Sequence, residues 1–343
     1  MLPKNKDEVK AYIGIVASII FNSPNKSVKD DYFLDSARSA FVFFAEWLIW
    51  KNKQTSISEV RDKLLEETKI DNNIKIMLKQ DKIPNYIRKD GNSVLIASES
   101  DNQWAGVTGE LGTYLEPFGE NAIARALSGK CDFNSDTFRK GNTSLYIKVR
   151  DKDRKRLRPI ISMVIELLGS QLISKQTTAE DNQVSFILDE FTRLAKMEII
   201  ADLPAISRSY KISTLFVAQD YEQISTVYGK DYISIFDSNC AYKVIFKQNN
   251  YFTAERLSKL IGNKTVERVS NSKGKSMKGA TITAGNSSNK SESTSQEGLA
   301  LVTPQDILNL EDGKCLIITQ GFASKPIMAN IAWYFKNKSM VNI

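Results

Sequence analysis

Apolar residues recur at helical spacing through the first hundred positions, then give way to short apolar runs bounded by polar clusters. Between Met1 and Phe21 the apolar set is Val9, Tyr12, Ile13, Val16, Ile19 and Ile20, one face of a helix. The run stops at Asn22-Ser23-Pro24, where proline cannot continue a helix. The same spacing predicts helices over Asp31–Trp50 and Ile57–Glu66, and more helix over Ile74–Ile87, broken at Pro84. Residues 25–104 therefore read as an all-helical region.

After Trp104 the period changes. Ser144–Val149, SLYIKV, alternates as a strand does, and Lys155–Ile173 has the pattern of a long amphipathic helix. Val184–Leu188 and Ile212–Ala218 are continuous apolar runs, and Tyr242–Phe246 alternates again, with helical segments between them. Strands separated by helices predict an α/β fold with a largely parallel sheet flanked by helices. Lys264–Gln296 is rich in Ser, Asn, Gly, Lys and Thr, with almost no large apolar residue, so a mobile surface loop is expected there. Strand composition returns at Lys314–Thr319 and Ile327–Phe335, and Pro304–Leu308 reads as a short helix capped by Thr303.

Composition narrows the chemistry. The 343 residues are 42% hydrophobic, enough for a sizeable core in two or three domains. The net charge of +7 is compatible with phosphate-bearing partners. There is no histidine, so Ser/His/Asp triads, Cys/His dyads and most zinc sites are excluded. Cys131, Cys240 and Cys315 are far apart and form no Cys-x-x-Cys pair, which places the chain in a reducing, cytosolic compartment. The most apolar run, Ala40–Trp50, contains Glu46 and is far short of the ~20 residues that cross a bilayer. It reads as a buried helix, with Trp47 and Trp50 in the core. The charge run Lys148–Arg158 reads as a solvated helix start, or as a contact for DNA or a partner.

The informative stretch is VSFILDEF, Val184–Phe191, an apolar strand ending in adjacent acids. In a nucleotide-hydrolysing sheet this is the Walker B position: Asp189 would associate with Mg²⁺ and Glu190 would act as general base on water. The same pattern also describes a strand followed by a solvated acidic turn. A second apolar strand, ISTLFVA, ends at Gln219, placed to sense a γ-phosphate or orient water. Arg208, eleven residues earlier, can reach toward a phosphate of its own or a neighbouring subunit, or serve as a helix-end cation. Two apparent phosphate motifs fail. GKS at 274–276 has Val269 where a phosphate loop needs glycine, and GVTGELG at 106–112 has the wrong glycine spacing.

Taken in order, WAGVTGELGTYLEPFGENAIARALSG, TSLYIKV, RLRPIISMVIELL, VSFILDEFTRL, RSYKISTLFVAQD, SIFDSNCAYKVIFKQNN, AERLSKLIG and LVTPQDILNLEDGKCLIITQG resemble the TraG/TraD-type coupling proteins of type IV secretion. The resemblance implies a RecA-like, P-loop NTPase-type motor with an inserted all-α domain, assembled as a hexamer. It implies ATP and Mg²⁺ as cofactors. The partners it implies are a relaxase–single-stranded DNA complex and components of the secretion channel, at the cytoplasmic face of the inner membrane. Residues 1–24 and 105–343 would form the motor and 25–104 the insert. By position, Asp189 matches the Mg²⁺-associated acid, Glu190 the catalytic acid and Gln219 the γ-phosphate glutamine. Arg208 matches an arginine near the subunit interface.

The departure is as specific. Members of that family carry an N-terminal membrane anchor and a glycine-rich phosphate loop ahead of the helical insert, and neither motif occurs in these 343 residues. The expectation is therefore a motor subunit that is incomplete without a phosphate-loop half. The rival expectations are a non-catalytic coupling protein that binds substrates or partners, and another RecA-like DNA translocase.

Overall fold

A computed structural model describes residues 6–21, 31–65, 70–128, 132–194, 196–275 and 288–336. The chain divides into two units, Met1–Ala218 and Gln219–Ile343.

The first unit begins with six helices: α1 Lys6–Ile20, α2 Asp31–Asn52, α3 Ile57–Leu65, α4 Ile70–Leu78, α5 Asn85–Ser98 and α6 Asp101–Leu115. Helix α2 lies at their centre and packs on α1, α3, α5 and α6. Its Ala37, Ala40, Phe41, Phe43, Phe44 and Trp47 are all buried. Small residues on one side of α2 let its neighbours approach closely, and the aromatic residues fill the space around them. Gly91 of α5 is one such approach, because a Cβ there would lie 2.5 Å from the Phe43 ring. The same core takes in Val107, Leu111 and Leu115 of α6, Phe118 and Met163. Trp104, where the sequence changes character, thus lies inside α6, and helical packing continues past it.

Three more helices follow: α7 Asn121–Leu127, α8 Ser135–Lys140 and the long α9 Arg154–Ile173. The charge run is braced at the start of α9. Arg154 pairs with Asp151, Arg156 with Asp153 and Glu120, and Arg158 donates to the Leu194 carbonyl. Ser144–Val149, expected as a strand, has no ladder pairing among the described residues, and Tyr146 is 80% exposed.

Strand β1, Val184–Leu188, pairs in parallel with β2, Ile212–Phe216, through helix α10, Glu198–Ile206. The connection is a βαβ unit. Val184, Phe186 and Leu188 are buried, whereas Ser185 and Ile187 face outward.

In the second unit come α11 Tyr221–Tyr228, α12 Lys230–Asn239, β3 Tyr242–Ile245 and α13 Tyr251–Ile261. They are followed by β4 Asn263–Lys275, β5 Ser288–Ala300, α14 Pro304–Leu308, β6 Lys314–Thr319 and β7 Ile327–Asn330. Strands β3, β6 and β7 form an antiparallel sheet in the order β3-β6-β7, so the parallel pairing among the described strands is that of β1 with β2. Ile245, Leu316 and Ile318 of this sheet bury against Ala254, Leu257, Ile261 and Ile307 of α13 and α14. Thr303 caps α14 in a reciprocal capping box with Asp306.

The stretch expected as a mobile loop, 264–296, differs. Residues 263–275 pair with 288–300 as an antiparallel ribbon, and 276–287 lie outside the described residues. The reason is that backbone pairing needs no apolar side chains: the ladder satisfies the amides and carbonyls that each strand turns toward the other although the side chains are polar. Among the described residues no helix is long and apolar enough to cross a membrane. Cys131 also lies outside the described residues, Cys315 is buried, and burial raises the pKa of the partly exposed Cys240 thiol.

Candidate functional site

The site is built at the carboxyl ends of the two parallel strands. β1 ends at Leu188, and Val217, just past β2, donates its amide to the Leu188 carbonyl at 3.1 Å. The strand tips are thus locked side by side. The rings of Phe191 and Phe216 meet at 5.1 Å, tilted by 56°. Phe191 is 1% exposed, so the turn bearing the two acids is anchored by an aromatic plug.

Asp189 and Glu190 occupy that turn. Asp189 is exposed, and its carboxylate has no hydrogen bond or ion pair among the described residues. Glu190 is half-buried and takes the left-handed conformation, with φ 50° and ψ 42°. For a residue with a Cβ this conformation costs about 1 kcal/mol, held in place here by the buried Phe191 beside it. Glu190 Oε2 meets Arg193 Nε at 3.0 Å, across one turn of 3₁₀ helix. Arg193 went unnoticed in the sequence. Its signal is the three-residue spacing in Glu-Phe-Thr-Arg, which becomes a contact only once the chain turns helically.

The opposite ends of the strands are fixed by another residue the sequence did not single out. Arg139 of α8 is 6% exposed, and its guanidinium donates to the carbonyls of Leu172, Asn182, Tyr210 and Lys211. These carbonyls end α9 and precede β1 and β2, so one side chain clamps three segments. Lys211, in a left-handed turn at φ 46°, donates to the Ala179 and Asp181 carbonyls at 2.9 Å. Below the site, Glu166 of α9 accepts the amide of Glu198 at 2.7 Å and ties α9 to the start of α10. Burial pushes its pKa up to about 7, against the opposing pull of those amides.

Arg208 stands apart from the acids. It lies in a 3₁₀ turn, Ser207–Tyr210, before the first residue of β2, while Asp189 and Glu190 follow the last residue of β1. Because Val184 is level with Ile212 and Leu188 with Phe216, the whole strand separates them, about 13 Å at 3.3 Å per residue. The guanidinium is exposed and unpaired among the described residues.

Gln219 belongs to the second unit, where its Oε1 accepts from Gln223 Nε2 at 3.0 Å. Asp220 caps α11 by accepting the Gln223 amide at 2.8 Å. The next residue is pinned further: Tyr221 donates to Asp237 at 2.5 Å, and Arg256 meets the other Asp237 oxygen at 2.8 Å. Burial, with Asp237 close by, raises the Tyr221 pKa well above its ordinary value, so the phenol stays a donor.

Among the described residues no cluster of three or more acidic or sulfur side chains is arranged to hold a metal. The single exposed Asp189 does fit a hydrated Mg²⁺, which takes one or two carboxylates and keeps several waters. Of the GKS decoy, Gly274 and Lys275 pair with Asn289 and Ser288 in the ribbon, and Ser276 lies outside the described residues.

Comparison with known proteins follows the same lines. Conjugal transfer protein TraG of Escherichia coli is 30% identical over 166 residues, covering 45% of this chain and 26% of TraG. Protein VirD4 of Rhizobium radiobacter is 22% identical over 249 residues, covering 70% of this chain and 34% of VirD4. The chain therefore spans about a quarter to a third of the length of these curated relatives. Among solved structures, the bacterial conjugative coupling protein TrwBΔN70 in complex with sulphate superposes with a TM-score of 0.69 at 15% identity. It covers 96% of this chain and 69% of its own. TrwB in complex with ADP and Mg²⁺ superposes with a TM-score of 0.66. The fold is accordingly the RecA-like α/β fold of TrwB. Residues 4–342 match the sequence profile described as type IV secretory system conjugative DNA transfer, and the chain belongs to that family of coupling proteins.

Proposed function

We propose that this chain is the acid-bearing part of an ATP-driven coupling motor. The motor would deliver relaxase-bound single-stranded DNA, or protein, to a type IV secretion channel. The observation that carries the reading is the Asp189-Glu190 pair on a strained turn at the tip of a parallel βαβ unit. Ligands of open α/β sheets bind at the carboxyl ends of the strands. In this reading Asp189 would hold Mg²⁺, which would supply charge neutralisation for the phosphates. Glu190 accepts the proton of the attacking water, and its release from Arg193 frees the carboxylate for that role. Gln219, at the capped start of α11, orients the water or the γ-phosphate. Arg208, with the length of a strand between it and the acids, serves a neighbouring subunit of a homo-hexamer as an arginine finger. The α2–α5 region would act as the inserted domain that recognises the relaxase–DNA complex. Nucleotide and Mg²⁺ binding draw support from TrwB, solved with ADP and Mg²⁺.

A second reading has its own observation: the 343 residues contain no glycine-rich phosphate loop, so most of the amides that would hold the β- and γ-phosphates are missing. On that reading the chain is a non-catalytic binding module. One experiment separates them. The phosphate-loop segment is supplied by fusion to that of TraG, and Arg208→Ala and Glu190→Gln variants are assayed alone and mixed. Each variant alone is expected to lose about 10³-fold in ATPase rate with nucleotide affinity retained. Mixed rings are expected to regain turnover, because some interfaces then carry both intact residues. Mixed rings as inactive as their parents rule out the role of Arg208 across the interface. Absence of turnover in the unmutated fusion favours the binding module.

A further inference from the structure

Away from the strand tips, one carboxyl group is buried without a hydrogen bond. Glu46 of α2 is 3% exposed, and neither of its carboxyl oxygens has a hydrogen-bond partner among the described residues. Beside it on α2 lie Phe43, Phe44 and Trp47, all buried. A carboxyl group among apolar side chains is costly as an anion and tolerable as a neutral acid. Burial accordingly pushes its pKa up to about 7, with Lys10 opposing and Asp90 adding to the rise. Glu46 is thus poised to gain or lose a proton in a range where ordinary carboxylates stay ionised.

The cation that answers it is Lys10. Its Nζ lies 3.9 Å from Glu46 Oε1 and 2.5 Å from Asp90 Oδ2 of α5. The same Nζ lies 5.6 Å from the centre of the Tyr86 ring, also on α5. One ammonium on α1 is therefore shared unequally between a buried carboxyl group on α2 and a partly exposed one on α5. Helix α2 packs on α1, α3, α5 and α6. Among the described residues, the charges acting on Glu46 are those of Lys10 and Asp90, and α3 and α6 bring none.

This geometry is that of the neutral acid: Lys10 bonds Asp90 and stops short of Glu46. Once Glu46 ionises, two carboxylates compete for one ammonium. The Asp90 side chain is 34% exposed and can take water in place of the lysine; that of Glu46 is 1% exposed and cannot. A buried charge left unpaired costs far more than an exposed one. The Lys10 side chain is half-exposed, and a shift of about 1 Å brings its ammonium within hydrogen-bonding distance of Glu46. Release of the whole of α1 is the costlier relief, because Ile13, Val16, Ala17 and Ile20 of that helix are buried.

We propose that Glu46, Lys10 and Asp90 form a proton-operated switch between three helices. With Glu46 neutral, Lys10 ties α1 to α5 through Asp90. With Glu46 ionised, Lys10 turns inward, ties α1 to α2 and leaves Asp90 to water. The switch involves neither nucleotide nor phosphate loop, so its test is independent of the motor reading. Side-chain carboxyl signals of the ¹³C-labelled chain are followed by NMR from pH 4 to pH 9, and crystal structures are determined at pH 5.5 and pH 8.5. Glu46 should titrate with a midpoint near 7. Lys10→Met should raise that midpoint and Asp90→Asn should lower it, each by about one pH unit or more. Lys10 Nζ should sit on Asp90 at pH 5.5 and on Glu46 at pH 8.5, and Glu46→Gln should hold it on Asp90 at both. A Glu46 midpoint in the ordinary carboxylate range, or one that either substitution leaves unmoved, overturns the proposal. Lys10 on Asp90 at both pH values in the parent chain, or the same swap in Glu46→Gln, also overturns it. Lys10 and Asp90 are partly exposed, so their variants should fold, and the titration decides the matter even where Glu46→Gln does not fold.

Discussion

Single side chains carry much of the strain in the first unit. Glu166 sits in the core with a pKa near 7, and Glu46, 3% exposed on α2, is also raised, by burial first, with Lys10 opposing at 3.9 Å. A carboxyl whose folded pKa lies above its unfolded value costs the fold nothing below pH 4.5, where it is protonated in both states. It becomes costly as pH rises through the window up to about 7, because the folded state then has to accept a buried charge. Stability should therefore fall between about pH 4.5 and pH 7, with Glu166 contributing on the order of 2 kcal/mol. Glu166→Gln keeps an acceptor for the Glu198 amide and should flatten that dependence in urea melts; a Gln variant with the same pH slope as the parent rules this out. Arg139 makes the opposite case. Replacing it by Met leaves four carbonyls without their donor, and the loss should be about 2–4 kcal/mol in the same melts. A loss under about 1 kcal/mol means that water takes over the clamp. Neither role shows in the sequence, because a lone Arg or Glu carries no periodic signature and its partners are 30 or more residues away.

Among the elements, those with a strong internal period were the legible ones. Helices α1, α2 and α3 fall where Val9 to Ile20, the Ala40–Trp50 run and Ile57 predicted them, since amphipathic spacing is a local property. The apolar runs of β1 and β2 were equally plain, and two acids follow the last residue of β1. The β4–β5 ribbon was not legible. Its polar composition gives no face to bury, and pairing over thirteen positions is a property of two strands at once. A lone two-stranded hairpin is marginally stable in water, and Val269 and Leu299 of this one remain exposed. Limited proteolysis should therefore cut first within 263–275 or 288–300, ahead of any site in α1–α6. First cleavage in the helical core instead would show that the ribbon is held by more than its own ladder. Ser144–Val149 failed in the other direction: it alternates like a strand, but a strand also needs a neighbour.

At the scale of the whole molecule, the absence of a phosphate loop leads to a direct expectation. The purified chain should bind ATP weakly and hydrolyse it negligibly, measured by phosphate release with Glu190→Gln as the control. Turnover that the control abolishes would mean that another part of this chain holds the phosphates. The order of motifs along the chain was enough to identify the coupling-protein family and the α/β class, because apolar period and strand-end chemistry are written residue by residue. Packing alone decided the rest. The pairing of β1 with β2 put the length of a strand between Arg208 and the acids, a separation that sequence spacing does not show. The ladder between those strands determined which amides face outward, and burial determined which apolar side chains stay in water. Each of these depends on residues distant in sequence meeting in space, and a one-dimensional pattern contains no term for that.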